Sequence, residues 1–358
     1  MRTVMRQLHI WLSIPFGVVI AIICFSGAML IFEREISAPF QRHYHYVESV
    51  GDSRLGVAEV MALVEPHLQE GQRITGITIP EDEERAWKVN LSQPKHAAIY
   101  VDQYSGEVLG TPERLKFFAV MFRLHRWLMD SRPEEGAIFW GKVIVGISTL
   151  AMVVVLISGV VLWVPKSIKL WRNRSRIEVR KGLRRLLYDL HVVGGIYAVL
   201  LLLAMGLTGL TWSFEWYRNG FYRCFGVETQ QPKGEKGRSR QEPVYDAWTV
   251  AYESVVGNYT PKRDVTLSQG TISVALGGYG NSRASDRYTF DTATGEILST
   301  TLYADSESAN RLKGWIYSVH VGSFGGLFTR ILWFLGAMLG ATLPLTGYYL
   351  WFKRKGFI

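Results

Sequence analysis

Four of the eight histidines in this 358-residue chain stand at related places and could do metal chemistry in pairs. His9 and His191 each open a long apolar stretch, and His125 and His320 each lie shortly before another. Ionisable side chains near apolar spans are costly and turn toward the bundle interior. Two imidazoles, with no Cys, Asp or Glu in the set, make a poor zinc site, since zinc takes four protein ligands, or three plus water. They do satisfy the two axial positions of a haem iron, whose other four nitrogens come from the porphyrin. The expected pairs are His9 with His191 and His125 with His320. No C-x-x-C-H occurs, so the expected cofactors are two b-type haems. Their propionates need cations. Arg6, Arg184 and Arg185 lie near the first pair in sequence, and Arg123, Arg126 and Arg330 near the second. No catalytic acid or base is evident, and outer-sphere electron transfer needs none. His43, His45, His67 and His96 read as surface residues, with His43 and His45 alternating along an extended stretch.

Apolar helices must position these histidines. About 20 apolar residues cross a bilayer as a helix, and four stretches qualify, at about 10–32, 138–164, 186–214 and 327–352. The first is too long for a cleaved signal peptide and is followed by Glu33-Arg34 rather than small residues. The chain carries 40 Lys+Arg against 31 Asp+Glu, a net charge of +9. Fourteen of the basic residues, with only Glu178 as an acid, fall in the N-terminus, the 165–185 loop and the C-terminus. That bias places both termini and the loop in the cytoplasm and argues for lipid rather than nucleic acid as their partner. Residues 33–138, with 12 basic and 17 acidic residues, and 216–330 then lie outside, in a bacterial periplasm. Two cysteines, Cys24 in mid-span and Cys224 outside, rule out a disulfide scaffold.

The halves repeat. Gly27 follows His9 by 18 residues and Gly209 follows His191 by 18, each glycine preceded by Ser or Thr. Ser158-Gly159 follows His125 and Thr346-Gly347 follows His320, the first spacing longer by a hydrophilic insert near Asp130–Gly136. Each outer segment reads as a helix, at about 55–70 and 245–256, then short strands, and closes on D-x-x-[ST]-G-E at Asp102–Glu107 and Asp291–Glu296. That motif suits a tight hairpin with glycine at positive φ. An internal duplication is expected.

These landmarks resemble the PepSY-associated transmembrane proteins: the Leu8-His9 and Leu190-His191 openings, the Ser/Thr-Gly near each span end, and the two D-x-x-[ST]-G-E closures. The resemblance covers essentially the whole chain. It implies an α+β membrane protein in the bacterial inner membrane, with four transmembrane helices in a bundle and two periplasmic PepSY-like domains. The expected division is 1–36 for the first span, 37–113 for the first PepSY-like domain, and 114–166 for an outer helix and the second span. The basic loop follows at 167–184, the third span at 185–218, the second PepSY-like domain at 219–305, and an outer helix and the fourth span at 306–358. The family includes ferric-siderophore reductases. The resemblance therefore implies an oxidoreductase that passes electrons through two b-type haems, ligated by His9, His191, His125 and His320, to a ferric-siderophore or other ferric chelate. Without a flavin or dinucleotide motif, the donor is external, a quinol or a cytoplasmic reductase. The alternative is a non-catalytic PepSY protein that binds or regulates a periplasmic peptidase. A transporter fits less well, because the repeats keep one orientation.

Overall fold

The structure is a computed structural model describing residues 1–358 except 95–96, 135, 166–170, 172–174, 229–242, 279 and 358. His96 therefore lies outside the described residues. The chain divides into two compact units.

The first unit comprises Met1–Glu33, Leu115–Thr229 and Trp315–Ile358. Its frame is four long apolar helices: α1 (Arg2–Ile31), α4 (Trp140–Trp163), α5 (Leu183–Ser213) and α9 (Gly326–Lys355). At 1.5 Å per residue each is longer than the roughly 30 Å hydrocarbon core. Every one packs against two others, α1 on α4 and α9, and α5 on α4 and α9, so that α1 and α5 stand diagonally across a four-sided bundle. Small residues let these helices approach. A Cβ on Gly17 of α1 would lie 2.5 Å from the Tyr348 hydroxyl of α9; with glycine there, that hydroxyl donates to the Ile14 carbonyl at 2.7 Å.

Shorter helices complete the unit. α3 (Lys116–Trp127) precedes α4, α6 (Glu215–Cys224) follows α5, and α8 (Ser308–Val321) precedes α9. The corner between α3 and α4 is tight. Leu128 and Met129 take φ of 53° and 68°, a left-handed conformation that strains non-glycine residues. Asp130 then caps α4, accepting the Gly141 amide at 2.8 Å. This is how the expected hydrophilic insert is used. The matching corner after α8 meets the same demand with glycines, Gly322 at φ 72° and Gly326 at φ 65°.

The second unit comprises Arg34–Arg114 and Gln230–Gly314. The two outer segments, expected as separate domains, share one antiparallel sheet of eight strands in the order β4-β3-β2-β1-β5-β6-β7-β8. The first segment supplies β1 (Ile74–Ile79), β2 (Trp87–Leu91), β3 (Ala98–Val101) and β4 (Val108–Gly110). The second supplies β5 (Val265–Ser268), β6 (Thr271–Ala275), β7 (Ser285–Phe290) and β8 (Ile297–Thr301). The join runs from Gly76 opposite Ser268 to Ile79 opposite Val265. A helix from each segment, α2 (Val57–Val64) and α7 (Tyr245–Val256), packs against the other and over the sheet, burying Met61, Trp248, Ile77 and Leu267 together. Joining the halves is the physical reason for one unit rather than two, since each half-sheet alone would leave a central edge unpaired. An ion pair spans the segments as well: Lys262 and Arg54 reach Glu83 at 2.6 and 2.8 Å. Lys262 first, then Arg54, hold that carboxyl below the usual carboxylate range.

Both D-x-x-[ST]-G-E stretches form the expected hairpins. The Asp102 carboxylate accepts the amides of Tyr104 and Ser105, and that of Asp291 accepts those of Ala293 and Thr294. Gly106 and Gly295 sit at φ 77° and 81°. Two local expectations change. The 55–70 helix is α-helical only to Val64 and finishes as a 3-10 turn over Glu65–His67, because Pro66 has no amide to donate. Residues Arg42–His45 form a helical turn rather than an extended stretch, with the half-buried His45 ring edge-on to Tyr100 at 4.6 Å.

The central join gives a direct test. A Cβ on Gly76 would stand 2.4 Å from the Leu267 carbonyl oxygen of β5. Gly76→Val is expected to destabilise the sheet by about 1–3 kcal/mol, read as a lower thermal midpoint and faster amide exchange in β1 and β5. Unchanged exchange would show that the pairing tolerates the bulk.

Candidate functional site

His9 on α1 and His191 on α5 meet across the bundle diagonal, with ring centroids 6.2 Å apart and planes at 90°. His125 on α3 and His320 on α8 meet at 6.0 Å, with planes at 50°. The structure thus brings together both expected pairs.

Each ring is seated the same way on a neighbouring spanning helix. Nδ1 of His9 lies 3.1 Å from the Val155 carbonyl of α4, and Nδ1 of His191 lies 3.0 Å from Leu343 of α9. Nδ1 of His125 lies 2.9 Å from Ile23 of α1, and Nδ1 of His320 lies 3.0 Å from Met205 of α5. A carbonyl only accepts, so Nδ1 carries the proton in all four, and Nε2 keeps its lone pair. For His125 and His320, on the helices before the spans, burial is the first cause that keeps the imidazole neutral. It pushes His320 down to about 3, and His125 and Arg126 add to the effect.

Four residues beyond each accepting carbonyl stands a glycine, at Gly159, Gly347, Gly27 and Gly209, and the histidine ring rests on it. An added Cβ would meet the ring Cε1 at 3.4, 3.1, 2.8 and 3.1 Å respectively. These are the glycines of the four Ser/Thr-Gly pairs. The hydroxyls join in at three seats. Ser158 Oγ, Thr346 Oγ1 and Thr208 Oγ1 lie 3.1, 3.1 and 3.2 Å from the Nδ1 of His9, His191 and His320.

This arrangement suits two nitrogens sharing one metal ion. Metal–imidazole bonds of about 2 Å put the facing nitrogens about 4 Å apart, and about 1 Å more to each ring centre gives about 6 Å between centroids. A hydrogen-bond acceptor on the non-ligating nitrogen is the usual companion of a ligating histidine. Among the described residues, no group of three or more His, Cys, Asp and Glu is placed to hold a metal ion. The donor set is therefore two imidazoles per site, which an iron porphyrin completes and bare zinc does not.

The two pairs are separated along the bundle. From His9 to the seat of His125 at Ile23–Gly27 is 14 to 18 residues of α1, and from His191 to the seat of His320 at Met205–Gly209 is the same along α5. That is about 21–27 Å of helix. Between them lies an apolar core of Ile20, Cys24, Met152, Leu156, Leu202 and Ala341. Cys24 is a free, buried thiol whose Sγ lies 4.0 Å from Met152 Sδ, and Cys224 is free and exposed.

The arginines divide. Arg126 carries its guanidinium over the rings of Phe122 and Trp127, 5.4 and 5.2 Å from their centres. Arg6, one turn before His9, is exposed, and so is Arg184. Arg123 donates to the Met129 carbonyl at 2.8 Å, and Arg330 donates to the Ile31 carbonyl and covers Phe32, so both hold helix ends. Arg185 reaches Asp189 at 2.9 Å. Asp189 is a correction to the expected acid-free neighbourhood. It stands two residues before His191, fully buried, and also accepts the Glu178 amide at 2.9 Å, which ties the basic loop to α5. The i,i+4 spacing of Arg185 and Asp189 was the signal for it.

The seats predict a rank order. Gly27→Ala drives a Cβ against the His125 ring, with cost of about 1–3 kcal/mol, whereas Gly159→Ala makes only ordinary contact with His9. Thermal unfolding in detergent should show a clear loss for the first and a small one for the second; the reverse order would contradict the seating.

The chain matches the family described as PepSY-associated TM region over residues 6–354. No curated protein matches it. With four spanning helices, an α+β architecture and a family match over nearly its whole length, this chain is a multi-pass membrane protein of the PepSY-associated transmembrane family.

Proposed function

We propose that the protein is a transmembrane electron-transfer oxidoreductase that reduces a ferric-siderophore or other ferric chelate. It would reside in the bacterial inner membrane, with its basic segments in the cytoplasm and its sheet unit in the periplasm. The observation that carries this reading is the pair of imidazole clamps, each about 6 Å between ring centres, with protonated Nδ1 held by a helix carbonyl.

His9 with His191, and His125 with His320, would hold two b-type haems by Nε2. A haem supplies a one-electron ferric/ferrous couple that neither imidazoles nor apolar helices possess. The chain's own part is to fix the ligand rings, through the carbonyls of Val155, Leu343, Ile23 and Met205. The glycine seats hold those rings against the neighbouring helices, and the apolar core between the pairs excludes water and protons. Arg126 offers a cation for a propionate at one end, and Arg6 at the other. Adding one electron to the bound iron of a chelate weakens the hold of hard oxygen donors, which is why reduction would release it. A mostly apolar groove of about 930 Å3 lies between α4, α5 and the basic loop, lined by Ile157, Val160, Ile196 and Leu203 with Ser175 and Arg176 of the loop. It adjoins the α4 segment that seats His9, which supports a lipid-soluble quinol as donor over a cytoplasmic reductase.

The test is pigment and stoichiometry. Purified protein should show a Soret band and sharp reduced bands, with about two haems per chain. His125→Ala or His320→Ala should leave about one and abolish ferric-chelate reduction, measured with a ferrous-specific chromogenic chelator. His9→Ala or His191→Ala should remove the other. A colourless protein, or four variants with unchanged haem, would overturn the reading.

A further inference from the structure

We propose that the two histidine pairs are graded, so that electrons run one way, from His9–His191 toward His125–His320. The grading resides in the hydroxyls of Ser158, Thr346 and Thr208 and in the charge of Arg126, none of which would touch the iron. It rests on the function proposed above and adds its direction.

The hydroxyl protons are already spent. Ser158 Oγ donates to Val155 O at 2.8 Å, Thr346 Oγ1 to Leu343 O at 2.9 Å, and Thr208 Oγ1 to Ala204 O at 2.5 Å. Each oxygen therefore faces its histidine as an acceptor, and the Nδ1–H of His9, His191 and His320 is shared between a carbonyl and a hydroxyl. His125 is the exception. Ser26 occupies the equivalent position, and its hydroxyl bonds Ile22 O at 2.6 Å and Ile23 O at 3.2 Å much as Thr208 bonds Ala204 O and Met205 O, but the acceptor described for His125 Nδ1 is the Ile23 carbonyl alone.

A stronger acceptor set at Nδ1 raises the basicity of the ligating nitrogen, and a more basic ligand favours the oxidised metal. The His9–His191 end has the full set on both rings. The His125–His320 end has one acceptor fewer, and it has Arg126 adjacent to His125 with its guanidinium held over Phe122 and Trp127, whereas Arg6 at the other end stands a full turn from His9. A nearby cation disfavours the more positive, oxidised state. The arginine nearest His191 with a described partner, Arg185, is neutralised by Asp189. Both differences have the same sign, so the His125–His320 end has the higher potential. For each electron that passes, the donor is oxidised by one electron at the first pair's end, and one Fe(III) of the chelate becomes Fe(II) at the other. A quinol donor releases two electrons and two protons, the protons to water, and so serves two ferric ions.

Potentiometric titration of the full-length protein, followed by its reduced-minus-oxidised spectrum, tests this. His125→Ala assigns the two waves by deleting one. Ser158→Ala and Thr346→Val should raise the lower potential by roughly a tenfold change in the ferric/ferrous equilibrium, about 59 mV for one electron. Thr346→Ser should restore it. Ser26→Ala should move neither wave, and Arg126→Gln should lower the higher one. The grading is overturned if Ser26→Ala shifts a wave as far as Thr346→Val does. It is also overturned if the waves are assigned in the opposite order, or if pigmented Ser158→Ala and Thr346→Val proteins titrate like the parent. A parent protein without pigment instead removes the functional reading, and the grading with it.

Discussion

The bond from a histidine Nδ1–H to the backbone carbonyl of a neighbouring helix is the interaction on which the bundle's organisation depends. In a bilayer the helix satisfies its own amides, and a carbonyl has a second lone pair to offer. Each of the four imidazoles takes one such lone pair, three residues before a Ser/Thr and four before a glycine. That single contact fixes the tautomer, leaves Nε2 its lone pair and ties two helices together. Helix association in lipid has no hydrophobic drive of its own, so polar contacts of this kind, with the small residues beside them, decide register. The glycine is the steric half of the same device, since a side chain there would expel the ring.

The rest of the bundle serves this constraint. α1 and α5 stand on the diagonal, each giving a histidine near one end and a seat near the other, while α4 and α9 give seats only. α3 and α8 bring the second pair in from outside the spans. The strained Leu128–Met129 corner and the Gly322–Gly326 corner allow these helices to end abruptly within a few residues of His125 and His320. Different residues thus meet one geometric demand in the two halves.

Much of this was legible in the residues. The apolar runs gave the spans to within a few positions, apart from α1, which starts eight residues earlier, because length and hydropathy are local properties. The repeated Leu-His, Ser/Thr-Gly and D-x-x-[ST]-G-E landmarks gave the histidine pairing and both hairpins, whose turn chemistry is equally local. The role of the Ser/Thr-Gly pairs was not legible, because it lies in which helix faces which, and spacing along one chain carries no such information. The same is true of the contact between Asp189 and the Glu178 amide, although its i,i+4 pairing with Arg185 was readable, and of the β1–β5 join between segments nearly two hundred residues apart. The departure of Ser26 from its three counterparts is finer still. All four positions carry a small hydroxyl residue, and only the contact to the histidine Nδ1 tells them apart.

The β1–β5 join also sets an order of events during synthesis. Ile74–Ile79 leaves the ribosome well before Val265–Ser268, and two membrane-spanning helices, α4 and α5, are made in between. Until β5 arrives, β1 presents an open row of amides and carbonyls, the kind of edge that recruits strands from other molecules. The sheet therefore closes only after the two intervening helices have been made. Assembly of this protein is consequently tied to the pace of its own insertion.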